Sequence, residues 1–193
     1  MTITIHGTND QPEITVDTMA GDSDSAALME GNAALMADGT LTLSDDDTTD
    51  MVNVSVDSTI GTTGGTYAGP SVPNQTDLFN MFMFTTGTDS LSNAQDTGQL
   101  EWNFDSGSEA FDFLNDGETL VLTYTITADD NLSFSGSAPN EDSVSAAQTV
   151  TITITGTNDV PSITGATNPA NICLLYTSPS PRDATLSRMP SSA

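Results

Sequence analysis

The segment Thr2–Thr15 is written again at Thr151–Thr164. TITIHGTNDQPEIT stands against TITITGTNDVPSIT, with eleven of fourteen positions identical at a constant offset of 149 residues. Each copy spells an alternating strand, a Gly-Thr-Asn-Asp-x-Pro junction and the start of another strand. Self-similarity at a fixed period is the mark of a tandem array in which each unit abuts the next. The chain therefore divides into the last strand of one repeat (1–9), one complete repeat (10–159), the start of the next (160–171) and a remainder (172–193). A repeat of that length can bury a core of its own.

The remainder is of another character. It holds the only cysteine, Cys173, and both basic residues, Arg182 and Arg188. Its string CLLYTSPSPRD resembles translated sequencing-adapter read-through, so residues 172–193 read as an unstructured tail of artefactual origin.

Residues 1–171 contain 26 of the 27 acidic residues and no Lys or Arg. Salt bridges to Lys or Arg within that stretch are therefore excluded. Nucleic acid and anionic membrane surfaces would be repelled, whereas metal cations would be attracted. No run is long and apolar enough to insert in a membrane. A cysteine-free, Thr-rich, acidic repeat fits a secreted protein of the bacterial cell surface.

Period-two alternation dominates the repeat. Val150, Ile152 and Ile154 face one way, with threonines between them. Leu120, Leu122, Tyr124 and Ile126 do the same, as do Leu100, Trp102 and Phe104, then Val52, Val54 and Val56, and Leu41 with Leu43. Several half-buried strands separated by Gly, Asp, Asn and Ser predict an all-β, antiparallel β-sandwich, taken here to be a Greek key. Trp102 is assigned to its core. Ser25–Met36 reads as a loop with one short turn. Asp77–Phe84 reads as a short helix N-capped by Asp77, or as an edge strand.

The stretches GTLTLSDDDTTD (39–50), LEWNFDSGSEAFDFL (100–114), GETLVLTYT (117–125) and the strand and junction 148–161 together resemble the VCBS repeat. That family is a cadherin-like or Ig-like module of large bacterial RTX-type adhesins. The resemblance implies a surface-adhesion unit and no enzyme.

Strand direction locates the acids. If the strand at 41–43 runs up, the loop 44–50 lies at the top. The strand near Ile14 begins there, just after Asn9 and Asp10, and the strand 119–127 delivers Asp129 and Asp130 there. The last strand runs down and leaves Asn158 and Asp159 at the bottom, with Asp116 and Glu118. Calcium takes six to eight hard oxygen ligands in flexible geometry, which such clusters can supply. In cadherin junctions an Asn-Asp linker, an Asp-x-Asp loop and an Ala-x-Asp strand end share ions. Here Asp45-Asp46-Asp47 and Ala128-Asp129-Asp130 are similar, and Glu30 resembles the glutamate following the first cadherin strand. The candidate calcium ligands are thus Asn9, Asp10, Glu30, Asp45, Asp47, Asp116, Glu118, Asp129, Asn158 and Asp159.

Two functions follow as expectations. The first is a structural spacer whose partners are the neighbouring repeats, stiffened by calcium at the junctions. The alternative is a module binding a glycan or a host cell-surface protein through the insert 58–99, with Tyr67, Phe79, Phe82 and Phe84. No catalytic set is visible: His6 is the only histidine, so a Ser-His-Asp or Cys-His arrangement has little to draw on.

Overall fold

The computed structural model describes residues 1–7, 9–48, 50–85, 89–91, 95–130 and 144–160. The chain separates into two units, Met1–Asp159 and Val160–Ala193. Apart from Val160, the expected start of a further repeat and the expected tail lie outside the described residues.

The first unit is an all-β sandwich. Among the described residues its strands are β1 (Glu13–Thr15), β2 (Ser25–Met29), β3 (Met36–Ser44), β4 (Val52–Val56), β5 (Phe82–Phe84), β6 (Asp89–Leu91), β7 (Thr97–Asp105), β8 (Thr119–Asp129) and β9 (Gln148–Thr155), with one helix, α1 (Gln75–Asn80). One sheet has the order β1-β3-β7-β5 and the other β2-β9-β8-β4-β6. The connections β3–β4 and β7–β8 pass from sheet to sheet, as a Greek key requires.

Alternation sets the layers. Leu41, Leu43, Leu100 and Phe104 from one sheet meet Leu120, Leu122, Tyr124, Ile126, Val150, Ile152 and Ile154 from the other, all essentially inaccessible. Trp102 joins this core, and its indole N–H donates to the Ser23 carbonyl at 2.8 Å. Gly39 lies opposite Trp102 in the β3–β7 register, where an added Cβ would come within 2.6 Å of the indole Cε2. Phe82 stacks between Tyr124 and Trp102, with centroids at 4.5 and 5.9 Å.

Three local expectations need correction. Ser25–Met36 is not a loop with a turn: it opens with β2, which pairs in parallel with β9. Ala26 and Leu28 turn toward the core while Ser25, Ala27 and Met29 face solvent, so the free edge of β9 overrides weak local strand preference. The sandwich is consequently antiparallel except at β2–β9. Asp77–Phe84 holds both anticipated elements in succession, the helix ending at Asn80 and β5 starting at Phe82. The cap is Asn74, not Asp77. Asn74 Oδ1 accepts from the Asp77 amide at 3.0 Å while its Nδ2 donates to the Asp77 carboxylate at 2.7 Å, a reciprocal pairing akin to a capping box.

The insert after β4 follows β8 downward. Gly61 bridges Thr123, and the Tyr67 amide donates to the Thr119 carbonyl at 2.9 Å. Helix α1 is tied to the core through the Tyr124 hydroxyl, which donates to the Leu78 carbonyl at 3.0 Å. Residues 1–7 are exposed and belong to neither sheet.

Candidate metal centre

β1 begins, β3 and β8 end and β9 begins at one end of the sandwich, since Glu13 pairs with Ser44 and Ile126 with Gln148. The junction residues and the loop after β3 meet there. Asn9 Nδ2 donates to the Asp130 carboxylate at 2.8 Å, and the Asp10 amide donates to the Asp47 carboxylate at 2.6 Å. The Asp47 amide in turn donates to Asp45 Oδ1 at 2.9 Å. A cleft of about 90 Å³ opens between Asp10, Gln11, Glu13 and the turn Ser44–Asp46.

Asp45 is the centre of this arrangement. It is 3% exposed, and its Oδ2 is buried without a hydrogen-bond partner among the described residues. Burial pushes its carboxyl above the ordinary aspartate range. The Asp47 amide opposes that rise, and repulsion from Asp130, Asp50 and Asp47 adds to it. Asp10, Asp45, Asp47, Asp50 and Asp130 thus share one end of the fold with Glu13 and Asp46 of the cleft, and the described residues include no Lys or Arg. Desolvating a carboxylate among like charges is costly unless a cation compensates it.

Asp130 is the residue that sequence reasoning placed at this end but left out of the ligand set. Along β8 the even positions Leu120 to Ala128 face the core, and Asp130 continues that face, only 2% exposed. Asp129, named as the ligand, lies on the opposite parity of the strand, paired in register with Asn53. Asp50 is the other addition, brought near Asp45 by the turn whose Asp50 amide donates to the Asp47 carbonyl at 3.0 Å.

At the other end the named residues are less convergent. Glu30 is 4% exposed; its amide donates to the Thr155 carbonyl at 2.9 Å, and its Oε1 accepts from the Thr157 amide at 2.8 Å. Its Oε2 is buried without a hydrogen-bond partner among the described residues. Glu118 closes a local turn, accepting from the Asn115 amide and side chain at 3.0 and 2.9 Å. Asp116, Asn158 and Asp159 are exposed. Among the described residues, no three His, Cys, Asp or Glu side chains already stand in metal-coordinating geometry at either end. In the upper cluster several carboxylate oxygens are turned to amide N–H groups instead, which a cation would have to displace or share.

Asp22 is a useful contrast. It is also buried, but it accepts from the Asp17 amide, Thr40 Oγ1 and Thr42 Oγ1 at 2.9, 2.9 and 2.7 Å. Burial alone would raise its pKa; the Thr42 hydroxyl, with the other donors, overcomes that and holds it below the ordinary value. Both Asp22 oxygens accept hydrogen bonds, whereas Asp45 Oδ2, like Glu30 Oε2, has no partner among the described residues.

The insert aromatics do not form a ligand platform. Phe82 is buried, Phe84 packs against the core, and Tyr67 rests on Phe113 with centroids 5.0 Å apart, which leaves Phe79 at 37% exposure.

No family model matches the chain. No curated protein matches it in sequence. Among solved structures it is similar to the ASH/PapD-like domain 7 of human CEP192 (12% identity, 84% of this chain and 99% of that one, TM-score 0.37). It is similar also to the CooA pilin subunit of enterotoxigenic Escherichia coli (11%, 78% and 99%, TM-score 0.38). A third is AggA, the major subunit of aggregative adherence fimbriae type I from Escherichia coli (14%, 80% and 100%, TM-score 0.34). At these TM-scores none bears on function. No helix among the described residues is long and apolar enough to cross a membrane.

Proposed function

We propose that this chain carries one spacer repeat of a secreted bacterial surface adhesin, of the VCBS-like kind, and that calcium stiffens its junction with the preceding repeat. It acts as a structural element and not as an enzyme. The observation that carries the reading is Asp45: a buried carboxylate with one oxygen left without a hydrogen-bond partner, set among Asp47, Asp50 and Asp130. Calcium suits that donor set because it accepts many oxygen ligands without demanding strict geometry. When bound, it would neutralise the cluster and draw on Asp45, Asp47, Asp130 and the junction residues Asn9 and Asp10. Since those last two belong to the connection between repeats, the ion would fix the connection to the sandwich beneath it.

The duplicated junction supports the tandem reading. At Gly156 an added Cβ would lie 2.8 Å from Leu114 Cβ and would collide with the Asn115 carbonyl, whereas at Gly7 nothing lies within 4 Å. The second copy is shaped by its own sandwich; the first carries the same glycine without one. Small-angle scattering on two repeats joined through their natural junction tests the proposal. Calcium should lengthen the maximum dimension and sharpen it toward a rod. Identical profiles in calcium and in chelator would sink the stiffening role.

A further inference from the structure

β2 and β9 are the one parallel pair among the described strands. The chain enters the sandwich at the end where Asn9 is bonded to Asp130 and Asp10 to Asp47, and leaves it at the other end, after β9. β1 pairs with β3 alone, over three positions, so β2 is the first strand after the entrance that lies against β9.

Direction decides how such a pair meets tension. Ladder hydrogen bonds run between strands and not along them. Were β2 antiparallel to β9, its start would sit beside the exit of β9, and pulling on the two would open the bonds one after another. In the parallel pair Ser25 stands against Thr151 and Met29 against Thr155, so the start of β2 and the exit of β9 lie at opposite ends. Pulling then slides the strands lengthwise and loads all their bonds together.

The exit is fastened beyond the last regular pair. The Glu30 amide donates to the Thr155 carbonyl at 2.9 Å, and Glu30 Oε1 accepts from the Thr157 amide at 2.8 Å and the Thr157 hydroxyl at 3.2 Å. On the β8 side the Gly156 amide donates to the Glu118 carbonyl at 2.8 Å, and the Gly156 carbonyl accepts from the Gly117 amide at 3.0 Å. A hydrogen bond to a charged group is stronger than one between neutral groups. Here one is placed, buried, where the chain leaves the sheet.

We propose that β2, Glu30 and the Gly156–Thr157 exit form a load-bearing clamp that keeps the unit folded when tension passes along the chain. The source of that tension rests on the tandem reading; the clamp itself needs no metal. Forced unfolding is governed by the unfolding rate, so bonds that must break together on the way out set the resistance.

The full chain carrying Cys173→Ser is pulled in optical tweezers, in chelator and at one loading rate. Handles on Gly7→Cys and Asp159→Cys load the clamp lengthwise. Handles on Asp116→Cys and Asp159→Cys, both at the exit end, peel β9 from β8; all three positions are exposed. The lengthwise pull should need several-fold more force. In that pull Glu30→Ala should unfold faster at fixed force by about tenfold or more. Glu30→Gln, which keeps an oxygen for the Thr157 amide, should stay close to the native rate. Equal forces in the two directions, or a native rate in Glu30→Ala, would overturn the proposal. The comparison of directions uses the native clamp, so it stands even where Glu30→Ala folds poorly. The instrument supplies the tension and chelator removes calcium, so failure of the spacer or calcium reading would leave this result unchanged.

Discussion

Replacing Asp45 by Asn should make the protein more stable in chelator and deaf to calcium. Asn is nearly isosteric, and its Oδ1 can keep the bond now accepted from the Asp47 amide at 2.9 Å. Its Nδ2 takes the place of an oxygen that has no hydrogen-bond partner and can donate toward neighbouring carboxylates. One of the clustered negative charges is removed. Relieving a buried, unsatisfied polar group is worth about 1–3 kcal/mol, so Asp45→Asn in chelator should gain on that order. Calcium at about 10 mM, acting on a site of roughly 0.1–1 mM affinity, adds about 1.4–2.7 kcal/mol to the native protein. For a unit of this size that is a rise of about 3–10 °C in melting temperature. Thermal unfolding followed by circular dichroism, for both proteins in chelator and in calcium, gives all four values. If Asp45→Asn is less stable than the native chain in chelator by more than about 1 kcal/mol, the carboxylate is a net stabilising group. Asp45 would then not be an uncompensated charge in the metal-free protein.

Further outcomes follow from the core and the titrating groups. Gly39→Ala should cost about 1–3 kcal/mol by driving Trp102 from its place, and should red-shift the emission of this single tryptophan. Tyr124→Phe should cost about 1 kcal/mol, with the loss of the bond to Leu78. In the native protein burial raises the Tyr124 phenol, so its ionisation, followed by absorbance, should come only with alkaline unfolding. Acid titrations of stability should show two carboxyls acting in opposite senses. The Asp45 pKa is raised, so in chelator its unfavourable contribution is present at neutral pH and fades as pH falls through its folded value toward 3.8. The Asp22 pKa is lowered, so its favourable contribution holds above 3.8 and is lost as pH falls through the folded value below that. Asp45→Asn should remove the first limb and Asp22→Asn the second.

Much of the fold was legible because its long strands alternate cleanly. β7, β8 and β9 bury every second residue over most of their length and β3 does so at Leu41 and Leu43, and strand direction alone sends Asp10, Asp45 and Asp47 to one end and Asp159 to the other. β2 was not legible, since Ser-Ala-Ala-Leu-Met has no β-branched residue and becomes a strand only where β9 offers an edge. The helix cap is written as Asn74-x-x-Asp77, but Asp77 itself, directly before an apolar run, has the residue type of a cap and masks it. The choice of Asp130 over Asp129 was available from parity, because Leu120, Leu122, Tyr124, Ile126 and Ala128 count directly up to it. Asp50 was not available, because its approach to Asp45 depends on the conformation of a turn that residue types do not dictate.

Calorimetric titration of the full chain with calcium at low ionic strength, beside Asp45→Asn, decides whether the carboxylate cluster around Asp45 is a calcium site. Saturable binding to the native chain is expected with a dissociation constant of roughly 0.1–1 mM, lost or weakened at least tenfold in the variant. No saturable heat in the native chain, or unchanged binding in Asp45→Asn, would contradict it.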